Sequence, residues 1–245
     1  MKRSIFAGLL IALFILSGWS VAADEVSPLT IMERARAIWT VESFHAVVGW
    51  EITTAEEVQT VSMEVWMVGV DTALMRILAP EEEAGTGYLL LGDELWYYSP
   101  LIGEAIPLPA ILLHEGLLGS GMALDDLFRG ALADRYRIEF APDQPDTGYV
   151  LHLYPLPGEP LVYGRLVVTL RADYAVQRIE YYDQREGLIR TALFSEITAI
   201  GDLLIPFVVT IEDADGDRTV QTIKSLVPDL EIDPAIFTIE HLEGD

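Results

Sequence analysis

Phe44-His-Ala-Val-Val-Gly-Trp-Glu-Ile52, Thr60-Val-Ser-Met-Glu-Val-Trp-Met-Val68 and Ala73-Leu-Met-Arg-Ile-Leu78 decide the fold class. Apolar side chains recur in them at every second position, the period of a strand with one covered face. Met63, Val65 and Met67 oppose Glu64 in the second stretch, and Met75 and Ile77 oppose Arg76 in the third. A Gly69-Val-Asp71 turn separates these two. Bulky apolar faces backed by charges predict an open or partly closed barrel around an apolar interior. Any one of these residues reads equally as core, but methionine is flexible and polarisable, which suits a pocket for variable chains.

The same period continues outward from these strands. Two short strands fit Tyr88–Leu91 and Glu94–Tyr98 around a Gly92-Asp93 turn. Further strands are expected at Tyr136–Phe140, Tyr149–Tyr154, Leu161–Leu170, Val176–Tyr182, Leu188–Ile200, Phe207–Glu212 and Thr219–Leu226. Turn signals such as Pro157-Gly158, Arg171-Ala-Asp173, Arg185-Glu-Gly187 and Asp215-Gly216 divide them. Short links between long strands imply an antiparallel meander, not βαβ units. Upstream, Ser27-Pro28 reads as an N-cap with proline in the first turn. Ile31, Ala35 and Ile38 then give an amphipathic helix to about Thr40. Pro100 to Gly121 breaks the strand pattern with prolines and glycines around several leucines, and Met122 to Leu132 has helical spacing. This interruption is expected to be a mobile apolar loop. The expected fold is mainly β with a few helices.

The first residues form a basic start (Lys2, Arg3), an apolar run (Ile5 to Leu16) and a small-residue cleavage site near Ala22-Ala23. That is a secretory signal peptide over residues 1–23, its apolar run too short to span a bilayer comfortably. Residues 24–245 are expected to form a single domain. The chain has no cysteine, so it relies on packing, not disulfides, and is not acylated as a lipoprotein itself. Without Lys2 and Arg3, 13 basic face 39 acidic residues, a net charge of about −26. Such a surface repels phosphate backbones and anionic headgroups, which argues against nucleic-acid binding.

No catalytic pattern is present. His45, His114, His152 and His241 are scattered, with no HExxH and no ligand cluster. Asp213-Ala-Asp215-Gly216-Asp217 has its glycine fourth, not sixth, and is read as a hairpin turn instead of a calcium loop. Gly119-Ser120-Gly121 lacks the spacing of a nucleophile elbow, and Gly85-Thr-Gly87 lacks the lysine of a phosphate loop. The chain is therefore read as a non-enzyme without cofactor or metal.

An ordered set of short matches gives the chain a family likeness. It comprises Ser43-Phe-His-Ala46, Val65-Trp-Met-Val-Gly69, Gly85-Thr-Gly-Tyr-Leu-Leu and Leu95-Trp-Tyr-Tyr-Ser-Pro100. Gly119-Ser with Asp126-Leu127, Leu153-Tyr-Pro155 and Ile236-Phe-Thr238 complete it. With these the sequence resembles the LolA-like outer-membrane lipoprotein-sorting carriers, in the branch associated with RND-type exporters. The resemblance implies an unclosed antiparallel β-barrel covered by helices over a hydrophobic cavity. It also implies a periplasmic carrier of lipoprotein or lipid acyl chains. Such a carrier receives cargo from an inner-membrane ABC or RND-type transporter and passes it to an outer-membrane acceptor, acting as a monomer. Alternation picks out Val65, Met67, Met75 and Ile77 as cavity residues, clustering adds Leu89, Leu91 and Trp96, and Tyr98, Leu112, Leu117 and Met122 are expected with them. Two departures stand out. Gly69 occupies the place of an arginine that helps hold the lid shut in the lipoprotein carrier proper. Gly119-Ser-Gly-Met122 replaces the Gly-Ser-Asp-Phe common in the exporter branch. The alternative is a ligand-sensing adaptor or regulator of an envelope transporter or stress pathway built on the same barrel.

Overall fold

The computed structural model describes residues 26–109, 112, 116–122, 135–159 and 161–244. Helix α1 (Pro28–Trp39) comes first, followed by β1 (Ser43–Thr53), β2 (Val58–Val68), β3 (Thr72–Ala79), β4 (Gly87–Leu91), β5 (Glu94–Tyr98) and β6 (Ala105–Leu108). The second run is β7 (Tyr136–Phe140), β8 (Tyr149–Pro155), β9 (Arg165–Leu170), β10 (Val176–Tyr182), β11 (Leu188–Ile200), β12 (Leu203–Asp213) and β13 (Arg218–Pro228). A short helix, α2 (Ile239–Glu243), ends the described chain.

All thirteen strands form one antiparallel sheet, ordered β6-β5-β4-β3-β2-β1-β13-β12-β11-β10-β9-β8-β7. Strands that follow one another in each run are neighbours, and β1 joins the two runs by pairing with β13. The sheet is not closed, since β6 and β7 stand at its two ends. Edges need protection from further pairing. Proline does this for β6, where Pro107 lies opposite Trp96 and brings no N–H to the ladder.

The concave face carries the larger core. Val61, Met63 and Val65 of β2 pack with Ala46, Val48 and Trp50 of β1. On the far side Leu151, Leu166 and Val168 belong to the same cluster. Helix α1 lies against this face. Ser27 caps it by accepting from the Thr30 amide, Pro28 occupies its first turn, and its buried residues are Ile31, Met32 and Ala35. Trp39 meets Phe194 edge to face at 5.0 Å, and Arg34 lies over the Tyr174 ring while donating to its hydroxyl.

Two expectations need correction. The segment after Pro100 contains a strand, β6, because its backbone can extend the sheet at an edge where proline is tolerated. The strand expected at Leu161–Leu170 begins only at Arg165, after Gly164, whose backbone lies too close to Asp183 and Gln184 for a side chain. The helix expected at Met122 to Leu132 lies outside the described residues apart from Met122. The Asp213–Asp217 stretch is the β12–β13 turn, in which one Asp213 oxygen accepts from the Asp215 and Asp217 amides. Among the described residues no group of three or more histidine, aspartate or glutamate side chains is arranged to hold a metal.

Candidate ligand-binding face and its cover

Residues directly opposite one another on antiparallel strands share a face. The register Ala46↔Val65↔Met75↔Tyr88 therefore places Val65 and Met75 on the concave side. Phe44↔Met67↔Ala73↔Leu90 and Val48↔Met63↔Ile77 do the same for Met67 and Ile77. All four are buried in the main cluster. Glu64 and Arg76 point the other way. Glu64 accepts from His45 Nε2 at 2.6 Å, and Arg76 donates to the carbonyls of His241 and Leu242. Tyr88 is an inward neighbour of Met75; burial, with Tyr97 and Glu83 close by, pushes its hydroxyl up to about 12. The ring thus stays neutral on an apolar face.

Leu89, Leu91, Trp96 and Tyr98 do not join them. The row Trp66↔Leu74↔Leu89↔Trp96 and its neighbour Arg76↔Gly87↔Tyr98 lie on the convex side. The expectation of one common cavity surface for all these residues fails on strand alternation. There Leu74 and Leu89 form a second cluster with Phe237 and Leu242, and Leu91, Trp96 and Tyr98 pack at its margin. The C-terminal segment covers this patch. Arg76 ties the end of α2 to β3, and the Ala105 amide donates to Glu243 Oε1 at 2.7 Å. Gly87 makes the fit possible, since a Cβ there would lie 2.7 Å from Leu242 Cδ1 and 3.2 Å from the Met75 carbonyl. Gly87→Val is expected to lift α2 from the sheet and cost about 1–3 kcal/mol by overpacking. Hydrogen exchange of residues 239–244 reads this directly; unchanged protection would mean that β4 moves to absorb the methyls.

The concave face has a different cover. Leu112 packs against the main cluster, and Leu117 and Met122 are buried in it. Between them the chain makes a tight loop in which the Leu117 amide donates to the Met122 carbonyl and the Met122 amide to Ser120 Oγ. Gly116 has no room for a side chain, because a Cβ would sit 1.5 Å from the Ser120 carbonyl oxygen. Gly121 is the anchor of this loop. Its amide donates to the buried Thr219 hydroxyl at 3.1 Å, and its carbonyl accepts from Arg190 Nη1 at 2.9 Å. A Cβ on Gly121 would meet Ile211 Cγ2 at 2.9 Å, so only glycine brings the backbone this close. Arg190 is itself held by the Tyr163 hydroxyl and lies 4.1 Å from the centre of the Tyr181 ring.

Residues 69–244 match a protein-family model described as "-like: Uncharacterized protein". The chain belongs to that family, and its fold is LolA-like. Three solved structures carry the second statement. One is a domain from Vibrio parahaemolyticus named for outer membrane lipoprotein sorting, at 20% identity and TM-score 0.77, covering 88% of this chain and 98% of that one. A DUF1329 family protein from Desulfovibrio piger gives 21%, 0.79, 88% and 97%. A LolA superfamily protein from Nitrosomonas europaea gives 21%, 0.73, 88% and 99%. None of the curated proteins compared with the sequence matches it significantly.

Within this LolA-like frame, Gly69 is a turn residue with φ +66, and its amide donates to Glu42. The loop over the concave face is instead fastened by Arg190 and Thr219, from β11 and β13, which the sequence reading did not select. A signal for Arg190 exists. It shares strand parity with Ala192 and Phe194, so it puts a charge on an otherwise apolar face. His152 lies outside this site, and burial, then the nearby Arg165, lowers its pKa.

Proposed function

We propose that this protein is a periplasmic carrier that binds the acyl chains of lipoproteins or lipids against the concave face and moves them towards the outer membrane. The observation that carries the reading is an open sheet whose inward face is apolar and methionine-rich, under a glycine loop fastened mainly at Gly121. An acyl chain gains about 0.8 kcal/mol for each methylene it buries. Val65, Met67, Met75 and Ile77, with Leu112, Leu117 and Met122 from the cover, form the proposed binding surface. Residues 1–23 act as a cleaved signal peptide and residues 24–245 as one carrier domain. An inner-membrane ABC or RND-type transporter is the proposed donor, and an outer-membrane component the acceptor.

The test is titration of the protein with a fluorescent fatty-acyl probe, followed by hydrogen exchange. Saturable binding is expected. Residues 101–122 should exchange faster than the strands without ligand and more slowly with it. Equal protection in both states would identify a rigid insert and remove the cover from the mechanism.

A further inference from the structure

The concave face changes character towards β4 and β5. The row Val65↔Met75 continues there as Tyr88↔Tyr97, so two phenols follow the methionine on the same face. Their ring centres are 5.2 Å apart, with the planes inclined at 54°. Glu83 stands close to them in the β3–β4 turn, where its carbonyl accepts from the Thr86 amide. Its Oε2 is shut off from water and meets no hydrogen-bond donor among the described residues. A carboxylate oxygen shielded in this way is costly until an N–H or O–H reaches it. Burial first, then Tyr97 and Glu83, holds the Tyr88 phenol neutral, so its ring presents an electron-rich face without a charge of its own.

We infer that Glu83, Tyr88 and Tyr97 form a recognition site for an ammonium headgroup on the acyl ligand. An N–H of that group donates to Glu83 Oε2, and the two rings flank its positive charge. The chain then lies along Met75 and Val65, which continue the row inward. A hydrogen bond between an ammonium and a carboxylate is of the stronger, charge-assisted kind, and aromatic faces add to it where water is excluded. A phosphate or carboxylate head meets repulsion from Glu83 at the same place. The base next along the register, Arg76, points to the other face and is engaged by the His241 and Leu242 carbonyls. The site lies at the end of the sheet where the β3–β4 and β5–β6 turns come together, so the polar head stays at the rim while the chain is covered.

This inference rests on the carrier reading, and the experiment separates the two. Alkyl chains of equal length ending in ammonium, hydroxyl or carboxylate compete with the bound fatty-acyl probe at physiological ionic strength; ethylammonium is tested alone. The wild type is expected to bind the ammonium chain on the order of tenfold more tightly than the alcohol, and the carboxylate chain least tightly. Ethylammonium should leave the probe in place, which distinguishes a headgroup site from a free-amine site. Glu83→Gln should bring the ammonium and hydroxyl chains to one affinity, and Tyr97→Leu should remove part of the preference. A preference that survives Glu83→Gln unchanged comes from the acidic surface as a whole and overturns the site. Equal affinities in the wild type, or a preference for the carboxylate, overturn it and leave the carrier standing. Displacement by ethylammonium alone overturns the headgroup assignment. If no chain binds, both readings fall. Tyr97→Leu and the wild-type comparison decide the matter even if Glu83→Gln does not fold.

Discussion

Met75→Glu is expected to weaken binding of a fluorescent fatty-acyl probe on the order of a hundredfold or more, and Met67→Glu to do the same. Both methionines are buried on the concave face, Met75 opposite Val65 and Met67 opposite Ala73. A carboxylate beneath an acyl chain loses its water without gaining a partner, at a cost of several kcal/mol. The ligand-free protein can admit water to the same spot when the cover lifts, so thermal stability should fall by less than binding does. Lowering the pH should return part of the affinity, because protonation removes the charge that the chain cannot tolerate. A solid interior gives the opposite pattern: no probe binding in the wild type, and unfolding of both variants. Melts beside titrations separate the two outcomes.

Trp50→Ala is expected to destabilise the protein by about 3–5 kcal/mol, the range for removing a buried tryptophan. Trp50 is 2% exposed on β1 and donates from Nε1 to Gln221 Oε1 of β13 at 2.9 Å. The substitution opens a cavity in the strand that joins the two runs and leaves the Gln221 oxygen without that donor. Urea unfolding measures the effect. A loss below about 1 kcal/mol would mean that the sheet collapses around the gap.

β2 could be read from the sequence because its inward positions from Val61 to Met67 are all buried while its outward positions are only partly covered. In β2 the inward Met63, Val65 and Met67 alternate with Glu64 and Trp66, and the register follows. β4 could not be read this way. Leu89 and Leu90 are both fully buried, one beneath α2 and the other in the main core, so no alternation distinguishes the two sides. Assigning Leu89, Leu91 and Trp96 to the cavity therefore rests on clustering alone. The cover on the convex face was invisible for a related reason. Arg76 reads as an outward charge, and nothing local says that it meets the carbonyls of residues 241 and 242. The Gly119-Ser-Gly121 stretch lacks the spacing of a nucleophile elbow. Its part in fastening the loop depends on Arg190, Ile211 and Thr219, which come together only in the folded sheet.

The ladder between β1 and β13 has a consequence for how the chain folds. Phe44 pairs with Pro228 and Thr53 with Arg218, so the central seam unites segments from opposite ends of the molecule. Closing so large a loop is entropically slow, and contacts this distant delay folding. Until β13 has been synthesised, β1 and β12 present bare edges, and a chain truncated before Arg218 would be exposed to wrong pairing with other copies. For a polypeptide exported by a signal peptide, as proposed above, such a delay keeps the chain open until late in synthesis. The seam that completes the sheet cannot form until nearly the whole chain is available.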